Sequence, residues 1–261
     1  MNKLTRIIAL ICCITASTTM FAQQDRNHGI IWSALRGLEY EVKAGLNIGG
    51  ASPLPLPAEI RKINSYRPDL ALSIGTEISK WLDVQQRWGI VTGISLEVKS
   101  MRTDATVKNY SMKIIGDGGE EVSGRWTGRV KTKYRNSFLT IPVLAAYKVS
   151  NRVSLKAGPY FSYAIERDFS GTVYDGYLRQ GDPTGPKVVY TDGKTAPYDF
   201  SKDLRKFQWG MRIGTEWRAF KHLNVFADLN WGLNDIFKKD FETVTFNMYA
   251  IYANVGFGYA F

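Results

Sequence analysis

The residues able to do chemistry in this chain of 261 residues are carboxylates and basic side chains that recur at every second position. Glu39, Glu41 and Lys43 open the series, followed by Arg67, Asp69, Glu77, Glu97, Lys99, Lys156, Glu166, Arg212, Glu216 and Asp228. Glu39 with Glu41, or Glu97 with Glu77, has the composition of an acid/base couple. Hydrolysis at such a couple also needs a nucleophile or an activated water with its base, often a histidine. The 2 histidines are His28, near the start, and His222, in a predicted tight turn. The 2 cysteines, Cys12 and Cys13, fall within residues 1–22, and the 2 histidines are far apart in sequence, so the residues after 22 offer a metal neither a cysteine nor a close histidine pair. Asp117-Gly118-Gly119-Glu120-Glu121 lacks the oxygen spacing of a calcium loop. No enzyme activity and no cofactor are expected. Charges of both signs on one face suit a pairing network, with a proton or ion path as the other reading.

What positions these charges is a period of two. From Leu38, the apolar residues Leu38, Tyr40, Val42, Ala44, Leu46 and Ile48 alternate with polar residues or glycine. The same alternation predicts strands over 66–82, 88–101, 137–149, 153–168, 206–218, 223–233 and 246–261. Short turns are expected at 83–87, 150–152 and 219–222. The other connections are long or rich in Gly and Pro. Gly50–Ser65 carries Pro53, Pro55 and Pro57, which cannot donate to a ladder. In Arg102–Arg135, alternating pieces near Val122–Lys133 suggest that the flanking strands continue as a hairpin. Phe169–Leu204 is the longest irregular stretch, of a kind that usually marks a functional or mobile loop. Strict short/long alternation puts every long loop at one end, as in outer-membrane barrels and unlike an immunoglobulin-like sandwich. The fold class is therefore all-β, an eight-stranded antiparallel up-and-down transmembrane β-barrel over residues 38–261. Tyr40, Trp81, Trp88, Tyr147, Trp217 and Phe261 fall near strand ends, where aromatic girdles sit. Eight strands leave an interior that side chains fill, which disfavours a diffusion pore.

Residues 1–22 run from Lys3 and Arg6 through the apolar Ile7–Ile14 to small residues ending at Ala22, the order of a secretory signal peptide. Residues 23–37 are expected to form a periplasmic N-terminal segment. Without Lys3 and Arg6, 34 minus 2 basic side chains stand against 24 acidic ones, a net charge of +8. For an exported chain this charge suits outer-membrane lipids and lipopolysaccharide, and nucleic acid is not an expected partner. The second long connection carries Arg102, Lys108, Lys113, Arg125, Arg129, Lys131, Lys133 and Arg135. Of these, Arg125, Arg129, Lys131, Lys133 and Arg135 form the candidate interaction patch. The other reading is a hairpin whose charges keep it in water.

Two resemblances add to this reading. Asn254, Gly256, Tyr259 and Phe261 resemble the terminal signal read by the barrel assembly machinery. Val42-Lys43-Ala44-Gly45-Leu46-Asn47-Ile48, Phe138-Leu139-Thr140-Ile141-Pro142-Val143-Leu144, Ala157-Gly158-Pro159-Tyr160-Phe161 and Asn230-Trp231-Gly232-Leu233-Asn234-Asp235-Ile236 resemble the PorT-like outer-membrane β-barrels of Bacteroidota. Thr140 departs from the acidic residue often found there. The family implies an eight-stranded barrel without one fixed activity, in which some members resemble accessories of outer-membrane protein secretion. Secretion or surface proteins are therefore further candidate partners.

Overall fold

The computed structural model describes residues 37–116 and 118–261. The expected signal peptide, almost all of the segment 23–37, and His28 lie outside the described residues. Ten strands form one sheet: β1 (Leu38–Pro53), β2 (Ile60–Arg67), β3 (Leu72–Trp81), β4 (Trp88–Ile115), β5 (Glu121–Lys148), β6 (Val153–Gln180), β7 (Lys187–Asp199), β8 (Phe207–Arg218), β9 (Leu223–Gly232) and β10 (Met248–Ala260). Eight of them close a ring in the order β1, β3, β4, β5, β6, β8, β9, β10, with every neighbour antiparallel and β10 returning to β1. Closure removes sheet edges, the condition for strands to cross a bilayer. Among the described residues no helix is long and apolar enough to cross a membrane.

Two expectations about connections are corrected. Gly50–Ser65 is not one loop: β1 continues to Pro53, and β2 forms on the free edge of β4, pairing from Ile60↔Val107 to Arg67↔Arg102. The predicted strand 66–82 is correspondingly broken, because Pro68–Ala71 crosses from β4's edge back to β1. Phe169–Leu204 is not irregular either. β6 runs on to Gln180 and pairs with β7. The alternation is interrupted there by a register shift between Tyr174 and Gly176 and by Asp175 at φ 47°, which hides the strand from a period-two search. The hairpin expected from Val122–Lys133 is present, with β4 and β5 of 28 residues each. A spanning strand needs only about 9–11 residues, so the rest of these strands stands beyond the membrane.

Outward residues of the spanning half are apolar, among them Leu46, Ile74, Ile90, Ile141, Val143, Leu155, Ile213, Leu229 and Phe257. Tyr40, Trp88, Trp217 and Phe261 of the expected girdle are exposed at the turn end; Trp81 and Tyr147 are partly covered, with Tyr147 4.6 Å from Trp88. Beyond the membrane the interior changes character. Phe169 packs edge-on against Phe237 at 5.0 Å and stacks on Phe200 at 6.2 Å, and Trp126, Met112, Ile114, Leu178 and Tyr198 complete an apolar core. The β9–β10 connection folds into this core through Ile236, Phe237 and Val244. Each such side chain contributes roughly 1.5–3 kcal/mol when fully buried.

Closure of the ring depends on small residues. A Cβ built on Gly256 would run into the Ala44 carbonyl and the Gly45 backbone of the neighbouring strand, neither of which can swing aside. Gly256→Val is expected to abolish the compact band that unboiled barrels give on gels, while Phe257→Leu, outward and exposed, keeps it. An unchanged heat shift in Gly256→Val would contradict this closure geometry.

Candidate functional site: a charge network in the lumen

Inward positions of the spanning strands converge on Lys156 of β6. Its Nζ lies 2.7 Å from Glu77 Oε2 on β3 and 2.5 Å from Glu216 Oε2 on β8. The other Glu77 oxygen accepts a hydrogen bond from Lys43 on β1 at 3.0 Å. Lys43 also lies 3.5 Å from Asp228 Oδ2 on β9 and 3.8 Å from the Phe226 ring centre. Asn224 donates to Glu41 at 3.0 Å and to Glu216 at 3.2 Å. Towards the loop end, Arg212 donates to Glu97 Oε1 at 2.6 Å and to Asn230 Oδ1 at 2.5 Å.

Lys99 closes this layer. Its side chain, 1% exposed, lies 3.5 Å from Glu97 and within 5.1, 5.2 and 5.9 Å of the ring centres of Tyr160, Phe138 and Tyr252. Those ring faces offer a desolvated ammonium part of what water would give it. Four cations, Lys43, Lys99, Lys156 and Arg212, thus face five carboxylates, Glu41, Glu77, Glu97, Glu216 and Asp228. An unpaired charge buried here would cost several kcal/mol, so each holds its neighbours in place.

The network leaves little open space. Two voids against it measure about 40 and 20 Å³, room for a few waters at roughly 10–15 Å³ each. The carboxylates of Glu41, Glu77 and Glu216 approach within 4.8 Å of one another. Lys156 already bonds two of the three, so the donor set suits an ammonium rather than a metal ion. His222 is equally committed: its Nδ1 lies 2.8 Å from the Ala260 carbonyl, and its ring stacks on Tyr259.

Four predicted inward charges lie elsewhere. Glu39 sits at the turn-end rim, 3.8 Å from Lys148. Arg67 is exposed on β2, outside the ring, and Asp69 pairs with Arg102 at 2.8 Å in the segment that crosses to β3. Glu166 is exposed because Ser137 pairs with Glu166 but Phe138 with Ala164; the extra residue, Ile165, is a bulge that reverses the faces of β6. The rings of Phe138, Tyr160, Phe226 and Tyr252 are not singled out by the sequence, and Asn224 and Asn230 are legible there only as polar positions on the face of Asp228, outside the charge series. The signal available for all six is their place on the polar parity of their strands.

The candidate patch lies on a single face of β5 beyond the membrane, because Arg125, Arg129, Lys131, Lys133 and Arg135 share one parity. Arg129 pairs with Asp104 at 2.8 Å and Lys133 with Asp168 at 2.5 Å. Burial acts against the ionised Asp104, yet hydrogen bonds from Tyr174, Asn64 and Arg129 outweigh it and hold the carboxyl below its ordinary range. Among the described residues no carboxylate lies in ion-pair range of Arg125, Lys131 or Arg135. Of the terminal residues singled out, Asn254 is buried and accepts from Ser73 at 3.1 Å, Gly256 abuts β1, and Tyr259 and Phe261 face outward 5.2 Å apart.

The sequence model of the outer membrane protein beta-barrel domain family matches residues 21–238. The chain belongs to this family. Its place is the cell outer membrane, and β10, beyond the matched segment, is fixed by its register with β1 and β9. No curated protein sequence gives a significant match. Among solved structures the chain is similar to the attachment invasion locus protein Ail of Yersinia pestis, at 6% identity over 86% of this chain and 97% of that chain, with a TM-score of 0.33. It is also similar to OprG of Pseudomonas aeruginosa, at 10% identity over 85% and 95% with a TM-score of 0.35. A third is the outer membrane protease OmpT of Escherichia coli, at 12% identity over 87% and 97% with a TM-score of 0.29.

Lys156→Met removes the one ammonium shared by Glu77 and Glu216. The expected loss is about 3–5 kcal/mol of unfolding free energy, read by urea titration in lipid vesicles. Adding Glu77→Gln and Glu216→Gln to it is expected to recover most of that loss. A cost for the single variant below about 1 kcal/mol would show that the network is not a buried one.

Proposed function

We propose that this outer-membrane barrel is a sealed, non-enzymatic anchor that presents the outer face of β5 for contact with acidic surface polymer, the phosphate-bearing saccharide of lipopolysaccharide. The observation that carries this reading is the set of Arg125, Lys131 and Arg135, aligned on one strand face without carboxylate partners. Lys131 also lines, with Arg67, Arg102 and Lys133, a concavity of about 820 Å³; Arg102 and Lys133 are paired with Asp69 and Asp168, while Arg67 and Lys131 have no carboxylate in ion-pair range among the described residues. Cations spaced along an extended strand suit repeated anionic groups, and guanidinium groups bind phosphate through two parallel hydrogen bonds. The non-enzymatic part is supported by the commitment of the buried carboxylates to lysine and arginine and of His222 to the β10 end. The PorT-like resemblance agrees with a barrel of this size and carries its own alternative, a role as accessory in outer-membrane protein secretion.

Binding of the nanodisc-embedded protein to immobilised lipopolysaccharide tests this reading. The expected outcome is salt-sensitive binding that falls at least tenfold in the triple variant Arg125→Glu/Lys131→Glu/Arg135→Glu, with the heat shift intact. Equal binding by the variant, or binding unchanged when the saccharide is stripped of phosphate, would overturn it.

A further inference from the structure

β1 and β2 leave a seam in the wall. Up to Leu46↔Leu72, β1 is paired on both sides, and the Asn47 amide still donates to the Ala71 carbonyl at 2.7 Å. Beyond that point β10 remains paired from Ile48↔Ala253 to Pro53↔Met248, but β3 has ended and β2 pairs with β4 instead. Among the described residues no ladder joins β1 to β2. Tyr66 Oη donates to the Gly49 carbonyl across the gap at 2.6 Å. The prolines of the β1–β2 connection, Pro53, Pro55 and Pro57, have no amide with which to close it.

Behind the seam lies a cavity of about 430 Å³, within the roughly 300–1,000 Å³ typical of small-ligand pockets. Its walls are apolar. Two β-bulges in β2, between Ile60 and Lys62 and between Ile63 and Ser65, change the strand's period so that Ile60, Ile63 and Tyr66 all turn to the cavity. Met101 and Met248 form its inner wall. Ile63, Leu56 and Tyr66 are about half exposed, at 54%, 57% and 47%, so its mouth is greasy and open.

The height of the mouth indicates what enters. Gly50 faces Ile251, which stands ten residues above Phe261; at roughly 3.3 Å per residue and a tilt of about 40°, that is about 25 Å, the full height of the apolar band of such barrels. The mouth therefore sits at the border between outer-leaflet chains and their head groups. On its outer side β2 presents Arg61, Lys62 and Arg67, all exposed, and among the described residues no carboxylate lies in ion-pair range of them.

We infer that the seam is a lateral binding site for an acyl chain that ends in an anion, with the chain in the cavity and the anionic group on Arg61, Lys62 and Arg67. The chemistry is shared by a free fatty acid and an anionic membrane lipid. Photo-crosslinking in nanodiscs separates the two, using a diazirine-bearing palmitate in one arm and a phosphatidylglycerol with a diazirine in its chain in the other. Saturable labelling of peptides holding Tyr66, Met101 or Met248 by either probe supports the site and names its source. Ala105→Trp, which fills the cavity, and Ile63→Asp, which charges its exposed rim, are each expected to lower that labelling at least tenfold while keeping the heat shift. An alcohol analogue of the palmitate probe is expected to label more weakly. Labelling confined to the outward apolar band, or pocket labelling indifferent to both substitutions, would overturn the inference.

Discussion

The structure depends on a single electrostatic constraint: nine charged side chains are enclosed where water is scarce, and none can be left without a partner. Lys156 is the clearest case, because it draws together Glu77 and Glu216 from strands far apart in the chain. The contacts form two adjoining groups, one running from Glu41 through Asn224, Glu216, Lys156, Glu77 and Lys43 to Asp228 and one from Arg212 through Glu97 to Lys99, and together they touch six of the eight ring strands: β1, β3, β4, β6, β8 and β9. Such a network rewards one register and penalises a slip by a residue, which would send the charges to the lipid face. The interior is therefore both the filling of the barrel and a specification of how its strands align.

Much of this was legible in the sequence, for a physical reason. Where strands are half in lipid and half in a polar lumen, the period of two is written directly in residue type: the bounds expected for β8 and β9 match within a residue at each end, and β1 matches at its start but runs on to Pro53. What was not legible depends on departures from that period. Glu166 is turned outward by one bulge at Ile165, and Arg67 and Asp69 leave the lumen because β3 stops short and β2 takes its place on β4. Phe169–Leu204 resembled a loop because its strands are interrupted at Asp175 and Gly176, although Tyr198 and Phe200 are core residues. Lys99 was recognised as inward, but its aromatic surroundings arise from β5, β6 and β10 and follow only from register.

Beyond the membrane the same strands serve a different purpose. There the interior is aromatic and aliphatic, the β9–β10 connection is packed into it, and the exposed face of β5 carries cations in excess. The half in the membrane is closed by charge pairing and the half outside by apolar packing, while the seam between β1 and β2 interrupts the wall where the two meet. The proposed functions lie at the surface and at that border, and the barrel below would be the support that holds both in place.

That division rests on the lumen being closed. Ion conductance of the purified protein in a planar bilayer tests it most directly. No steady conductance above that of the bare membrane is expected at neutral pH and moderate voltage. Reproducible, ohmic single-channel steps from the unmodified protein would contradict it.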